Sequence, residues 1–253
     1  MLNAGRALIV VAAFLVLGNA SFGGQTGQVV FTSDPWPPFT IGREGEAAQG
    51  GISIALCKEI ASRLGLEFSS TLHPWLRAMA YLKTGEADLT FPIIRNEERS
   101  RFLVFTDIVM TDKGRVWYLG KGQGRTIEWE RVEDLRAYRV GIVSGYSHGN
   151  LFEAAFENKI LETEPCKSYE QAIAKLLCRR MDILLGNESV ISNLLASSPS
   201  WKGKLIHTPK PYNENVYRIG ISKQSAVSKR LPEINRIIRK MKSDGSLDRL
   251  LKN

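Results

Sequence analysis

GISIALCKEIASRLGLEFSSTLHPWLRAMAYLKTGEADLTF, residues Gly51–Phe91, alternates helical and extended patterns and decides the fold class. Leu56, Ile60 and Leu64 fall four apart, which is the apolar stripe of an amphipathic helix, and Gly65 stops it. Glu67–Leu72 reads as a strand, Trp75–Lys83 as a second helix and Ala87–Phe91 as a second strand. Upstream, Val29–Thr32 is a short apolar strand followed by Ser33–Phe39 (SDPWPPF), whose three prolines forbid helix and central strand. The resulting order β-α-β-α-β predicts a mainly parallel sheet with helices on its faces.

Downstream the order returns. Arg139–Val143 reads as a strand, Ser147–Glu157 as a helix and Ile160–Glu164 as a strand. A helix with Tyr169, Ala172, Ile173, Leu176 and Leu177 on one face precedes the strand Asp182–Gly186. Trp75, Ala78, Leu82, Asp88 and Leu89 match Tyr169, Ala172, Leu176, Asp182 and Ile183, each 94 positions on, as two lobes of similar build would. The tail, a strand at Val216–Ile221 and helices over Val227–Met241 and Leu247–Lys252, belongs to neither repeat and is expected to return to the first lobe. The expected lobes are 25–118 with 212–253, and 119–211, with crossings near Trp117–Leu119 and Tyr212–Val216. Ligands of open α/β sheets bind beyond the carboxyl ends of strands. Here those ends are Ser33–Phe39, Phe91–Arg99, Ser144–His148 and Asn187–Ser189, two from each lobe, so a cleft between lobes is implied.

Residues 1–20 read differently. Arg6 is followed by the uncharged run Ala7–Gly18 (ALIVVAAFLVLG) and by Ala20, the pattern of a cleaved secretory signal rather than of a span, which needs about 20 residues. No cysteine lies near the cleavage region, so a free periplasmic protein without a lipid anchor is expected. The 253-residue chain carries a net charge of +8, but its Lys and Arg are spread along it, and the densest stretch, Lys229–Lys242, is the polar face of a helix, so nucleic acid is not an expected partner. Of the three cysteines, Cys166 and Cys178 could pair in an oxidising space, although a helix over 168–179 would hold them roughly 15 Å or more apart. His73, His148 and His207 show no metal-ligand spacing, and Ser147 beside His148 makes no nucleophile elbow, so no metal and no cofactor are expected.

GGISIALCKEIASRLGLEF, PWLRAMAYLKTGEADLTF, NEERSRFLVFTD, DLRAYRVGIVSGYS, YEQAIAKLLCRRMDILLGN and SDGSLDRLLK, taken in that order, resemble the bacterial extracellular solute-binding proteins of family 3. The resemblance covers nearly the whole chain after residue 20. It implies the two-lobed periplasmic binding protein-like fold of type II, in which two α/β lobes are joined by two crossing strands. It also implies capture of a small carboxylate-bearing solute, an amino acid or similar, by a monomer that serves an ABC permease of the inner membrane.

Arg99 matches the arginine that holds the ligand carboxylate, a task its planar, permanently charged fork suits; on the residues alone it could equally pair with Glu97 or Glu98. Tyr146 and Ser147 lie in the turn Ser144–Ser147, where glycine permits a tight bend and free N–H groups at a helix start attract an anion; Ser147 could also merely cap its helix. Trp36 and Trp75 match the aromatic positions that sandwich the ligand side chain, and Phe91 stands where the family shows small polar residues. Asn187 replaces the aspartate that meets the ligand ammonium, and Ser33 replaces a second acidic position. Either another acid substitutes, with Glu188 the nearest, or the solute is no ordinary α-amino acid. Two rival readings stand beside this one. A periplasmic dehydratase of prephenate-like acids would use Glu188 or Asp34 as proton donor. A ligand-sensing protein would report closure to a membrane sensor in trans.

Overall fold

Gln28–Ser33 (β1) runs between two parallel partners, Glu67–Leu72 (β2) and Leu89–Ile94 (β3), in a computed structural model that describes residues 27–120 and 126–252. The crossovers between them are the helices Ile52–Arg63 (α1) and Trp75–Thr84 (α2). Ile52, Leu56, Cys57, Ile60 and Ala61 of α1 are buried, as the fourfold spacing predicts. Gly51 precedes α1 at φ 103°, and a Cβ there would stand 2.3 Å from the Phe39 carbonyl oxygen, so the turn into the helix requires glycine.

A short helix, Glu97–Ser100 (α3), and the strand Leu103–Phe105 (β4) lead to Met110–Leu119 (β5), which takes the chain into the second half. There Arg139–Val143 (β6) repeats the role of β1. It lies parallel to Glu162–Cys166 (β7) and Ile183–Asn187 (β8), with Asn150–Glu157 (α4) and Tyr169–Leu177 (α5) as the crossovers. Glu188–Ser197 (α6) and Leu205–His207 (β9) precede the long return strand Asn213–Ser222 (β10). The chain closes with Leu231–Ser243 (α7) and Ser246–Lys252 (α8), both packed on α1 of the first half.

The 94-residue repeat has a structural counterpart. Asp88 accepts from the Val30 amide at 2.6 Å, and Asp182 accepts from the Arg139 amide at 2.9 Å. Each aspartate thus ties the third strand of its half to the first. The strand order β2-β1-β3-β10-β5-β8-β6-β7 places β5 and β10 between the two repeats. β5 pairs with β10 over Met110–Gly114, then with β8 over Gly114–Trp117. The change of partner therefore falls at Gly114, opposite Asn213, ahead of the Trp117–Leu119 crossing expected from sequence. A Cβ on Gly114 would lie 2.5 Å from the Tyr212 ring, so the crossing is built on the missing side chain.

Two further boundaries differ from expectation. The second-half helix expected from Ser147 starts at Asn150, after Gly149 at φ 82°, because the Glu153 carboxylate accepts from the His148 amide at 2.8 Å and fixes the turn outside the helix. The tail helix expected from Val227 begins as a 3-10 turn over Ala226–Arg230, and Pro232 marks the first turn of α7. Cys57 and Cys166 are buried and Cys178 is exposed, all three free. The signal expected over 1–20 lies outside the described residues. Among the described residues no helix is long and apolar enough to cross a membrane.

Candidate functional site in the interlobe cleft

Six of the seven sequence-derived site residues meet around one cavity of about 40 Å³ at the strand ends: Trp36, Trp75, Arg99, Tyr146, Ser147 and Asn187. Phe91 does not join them. Its ring is fully buried in the core with Phe31, Leu56 and Leu89, while the next residues of β3, Pro92, Ile93 and Ile94, line the cavity instead. Past Ile94 and Ser147 the cleft continues into a wider open groove along Arg95, Asn150, Glu214 and Arg218.

The proline-rich stretch after β1 positions Trp36. Reciprocal backbone bonds between Trp36 and Thr40, at 2.8 and 3.0 Å, close the turn and hold the indole against Phe39 at 5.2 Å. Arg99 is set by its own short helix, where the Asn96 side chain accepts from the Arg99 amide at 2.8 Å. Arg99 as a whole is 6% exposed, and it lines the gap instead of pointing into bulk water. Its guanidinium donates to the Ile94 carbonyl and, across the gap, to the Gly145 carbonyl, both at 2.9 Å. No carboxylate pairs with it among the described residues; Glu97 bonds Arg101 instead. Burial therefore pulls the guanidinium down to about 10 despite the pull of Glu98, Tyr217, Glu153 and Tyr146 in the other direction.

Gly145 receives a second interlobe donor, the Trp75 indole N–H at 2.9 Å. Its φ of 79° and the 2.6 Å that would separate a Cβ from Leu76 leave room only for glycine. Tyr146 then projects from the second half into the first. Its ring stands edge-on to Trp36 at 6.0 Å, to Trp75 at 5.8 Å and to Tyr169 at 5.5 Å, and its hydroxyl donates to Asp34 at 2.5 Å.

Asn187 is engaged at both ends of its amide. The oxygen accepts from the Tyr169 hydroxyl at 2.8 Å and the nitrogen donates to the Tyr217 hydroxyl. Glu188, the acid nearest in sequence, is not at the cavity: it pairs with Arg115 at 2.7 Å, and that bond to Arg115 holds its carboxyl below the usual range. The acid at the cavity is Asp34, only 8% exposed. Burial raises it to about 6, with the Tyr146 and Ser33 hydroxyls pulling the other way. Asp34 lies inside SDPWPPF, and its place at the carboxyl end of β1 was the available signal. Tyr217 carries no such mark, since it sits mid-strand in the crossing segment. The anion-binding helix start expected at Ser147 is also altered, because Glu153 already occupies the His148 amide and Tyr146 donates to the Val143 carbonyl.

Two halves of repeated α/β build, joined by paired strands, with a buried arginine and aromatic rings in the gap, define a protein that binds small molecules between lobes. The chain belongs to the bacterial extracellular solute-binding proteins, family 3, whose model matches residues 29–253. It is 29% identical over 175 residues to the ABC transporter glutamine-binding protein GlnH of Bacillus subtilis (strain 168), a match that takes in 68% of this chain and 59% of that protein. Among solved structures, an ancestral arginine-binding protein bound to arginine shares the fold at TM-score 0.75 and 21% identity, over 90% of this chain and 97% of that one. An arginine transport-system periplasmic binding protein from Legionella pneumophila does so at TM-score 0.73 and 20% identity, over 89% and 98% of the two chains. The GluR0 ligand-binding core from Nostoc punctiforme in complex with L-glutamate gives TM-score 0.70 and 19% identity, over 88% and 96%. All three are type II binding folds, and the present chain has that fold.

Proposed function

We propose that this protein is a periplasmic, monomeric binding component that captures a small carboxylate-bearing solute, an amino acid or a close analogue, for an ABC permease. The observation that carries the reading is the buried Arg99 guanidinium, which faces the second half across the gap and meets only neutral carbonyl oxygens there. A carboxylate offers the same fork two charged acceptors, and such charge-assisted bonds are about twice as strong as neutral ones. Trp36 and Trp75 would flank the solute from the first lobe, and Ser147 and Asn187 would contact it from the second. Closure hinges where β5 and β10 exchange partners, near Gly114 and Asn213, and the closed form is what the permease reads. The glutamine, arginine and glutamate in the names of the related proteins support the solute class. We read the cleft as binding rather than converting its solute, in keeping with the solute-binding family to which the chain belongs.

Thermal-shift screening of the chain lacking residues 1–20 against amino acids, keto acids and aromatic acids, followed by calorimetry on the hits, tests this. Arg99→Ala is expected to cost about 2–5 kcal/mol of affinity for any carboxylate-bearing hit. Unchanged binding would reject the role of Arg99. Turnover of prephenate or arogenate would reject the binding-only reading.

A further inference from the structure

Gly145 and Tyr146 stand where an incoming solute would. The Gly145 carbonyl oxygen takes one N–H each from Arg99 and Trp75, both at 2.9 Å, so a neutral oxygen of the protein already uses donors that suit a carboxylate. One residue on, the Tyr146 ring fills the space between Trp36 and Trp75, and its hydroxyl rests on Asp34. Asp34 has no cationic partner among the described residues; its remaining side-chain donor is the Ser33 hydroxyl, at 3.3 Å. The cavity thus contains a buried anion and a buried cation that do not meet, each satisfied by neutral groups.

We propose that Tyr146 is a displaceable internal occupant of the cleft, seated on Asp34, and that the solute which replaces it seats a cationic side chain on that carboxylate. The proposal rests on the binding function argued above and narrows its solute class. A buried carboxylate without a cation gains more from an ammonium or guanidinium than from a phenol, because only the former neutralises it. A second carboxylate in the same place would be repelled. The occupied state also lowers apparent affinity, since a solute binds only the fraction of molecules in which Tyr146 has swung out. Tyr146→Phe keeps the ring but releases Asp34, and Tyr146→Ser releases both.

Calorimetry at pH 8 with lysine, arginine, glutamine and glutamate as probes decides the matter, on wild type, Tyr146→Phe, Tyr146→Ser and Asp34→Asn, with circular dichroism verifying folding. Lysine or arginine should bind wild type, bind Tyr146→Phe at least tenfold more tightly, and lose at least a hundredfold in Asp34→Asn. Glutamine should respond to Asp34→Asn by less than threefold. Cationic probes indifferent to Asp34→Asn would overturn the proposal, as would equal weakening of every probe by both Tyr146 variants, which would make the tyrosine a contact and not a competitor. Binding of glutamine or glutamate without lysine or arginine would overturn it while leaving the binding function standing. Silence of all four probes toward all four proteins would count against both.

Discussion

At Asp34 the cost of burial is measurable. Its carboxyl titrates near 6 in the folded protein against 3.8 in an open chain, because burial outweighs the Tyr146 and Ser33 hydroxyls and Glu170 adds repulsion. Between those values the native state holds a proton that the unfolded chain has released. Stability therefore falls as pH rises through about 4–6, and the loss is complete above the folded value. Asp34→Asn removes the titration and keeps an oxygen for the Tyr146 hydroxyl. Its stability relative to wild type is expected to improve by up to about 3 kcal/mol between pH 4 and pH 7. Urea unfolding at the two pH values checks this, and a pH-independent difference would refute it. The residue was only partly legible in the sequence. An acid at a strand end is as often solvated as buried, and what buries Asp34 is Tyr146, which arrives from 112 positions away. Phe91 differs for another reason: the strand expected to end there runs on to Ile94, which leaves Phe91 mid-strand with its ring in the core.

Among the elements, the repeated β-α-β-α-β units were plain in the sequence because each depends on local periodicity. The start of α4 was not, since both Ser147 and Gly149 can precede a helix, and the choice falls to Glu153, one turn inside it. The paired aspartates before β3 and β8 do similar work at unequal cost. Asp88 accepts from the Val30 amide at 2.6 Å and from the Ser225 hydroxyl at 2.5 Å, so it ties β1 to the tail as well as to β3. Asp182 accepts from the Arg139 amide and guanidinium, with its side chain 40% exposed. Hydrogen bonds to charged groups contribute about 1.5–3 kcal/mol when removal strands the partner, and water relieves an exposed partner. Asp88→Ala should therefore cost about 2–3 kcal/mol of stability and Asp182→Ala about 1 kcal/mol. Denaturant midpoints of the two variants, at equal slope, make the comparison; equal losses would show that the tail contact contributes nothing.

On the scale of the whole molecule, the same cleft contacts set the balance between open and closed lobes. Gly145 accepts from Arg99 and Trp75, Tyr146 donates to Asp34 and Asn187 donates to Tyr217, so several hydrogen bonds cross the gap without any solute. At about 1 kcal/mol net apiece they bias the pair of lobes toward closure by a few kcal/mol, a population ratio of tens to hundreds. That bias is absent from sequence periodicity, because it depends on which loop of one half faces which loop of the other. The proposed hinge falls at Gly114, where β5 changes partner and the Tyr212 ring leaves no room for a side chain. Removing two of these bonds, in the double variant Arg99→Ala with Tyr146→Ala, should loosen the closed arrangement. The wild-type protein without residues 1–20 should scatter X-rays as a compact body, with a radius of gyration of about 17–18 Å for its length. The double variant should give a larger radius that added amino acids do not reduce, because Arg99, the proposed anchor of the solute carboxylate, is gone. Equal radii for the two proteins would mean that the closing force resides in the β5–β10 crossing itself and not in the contacts across the cleft.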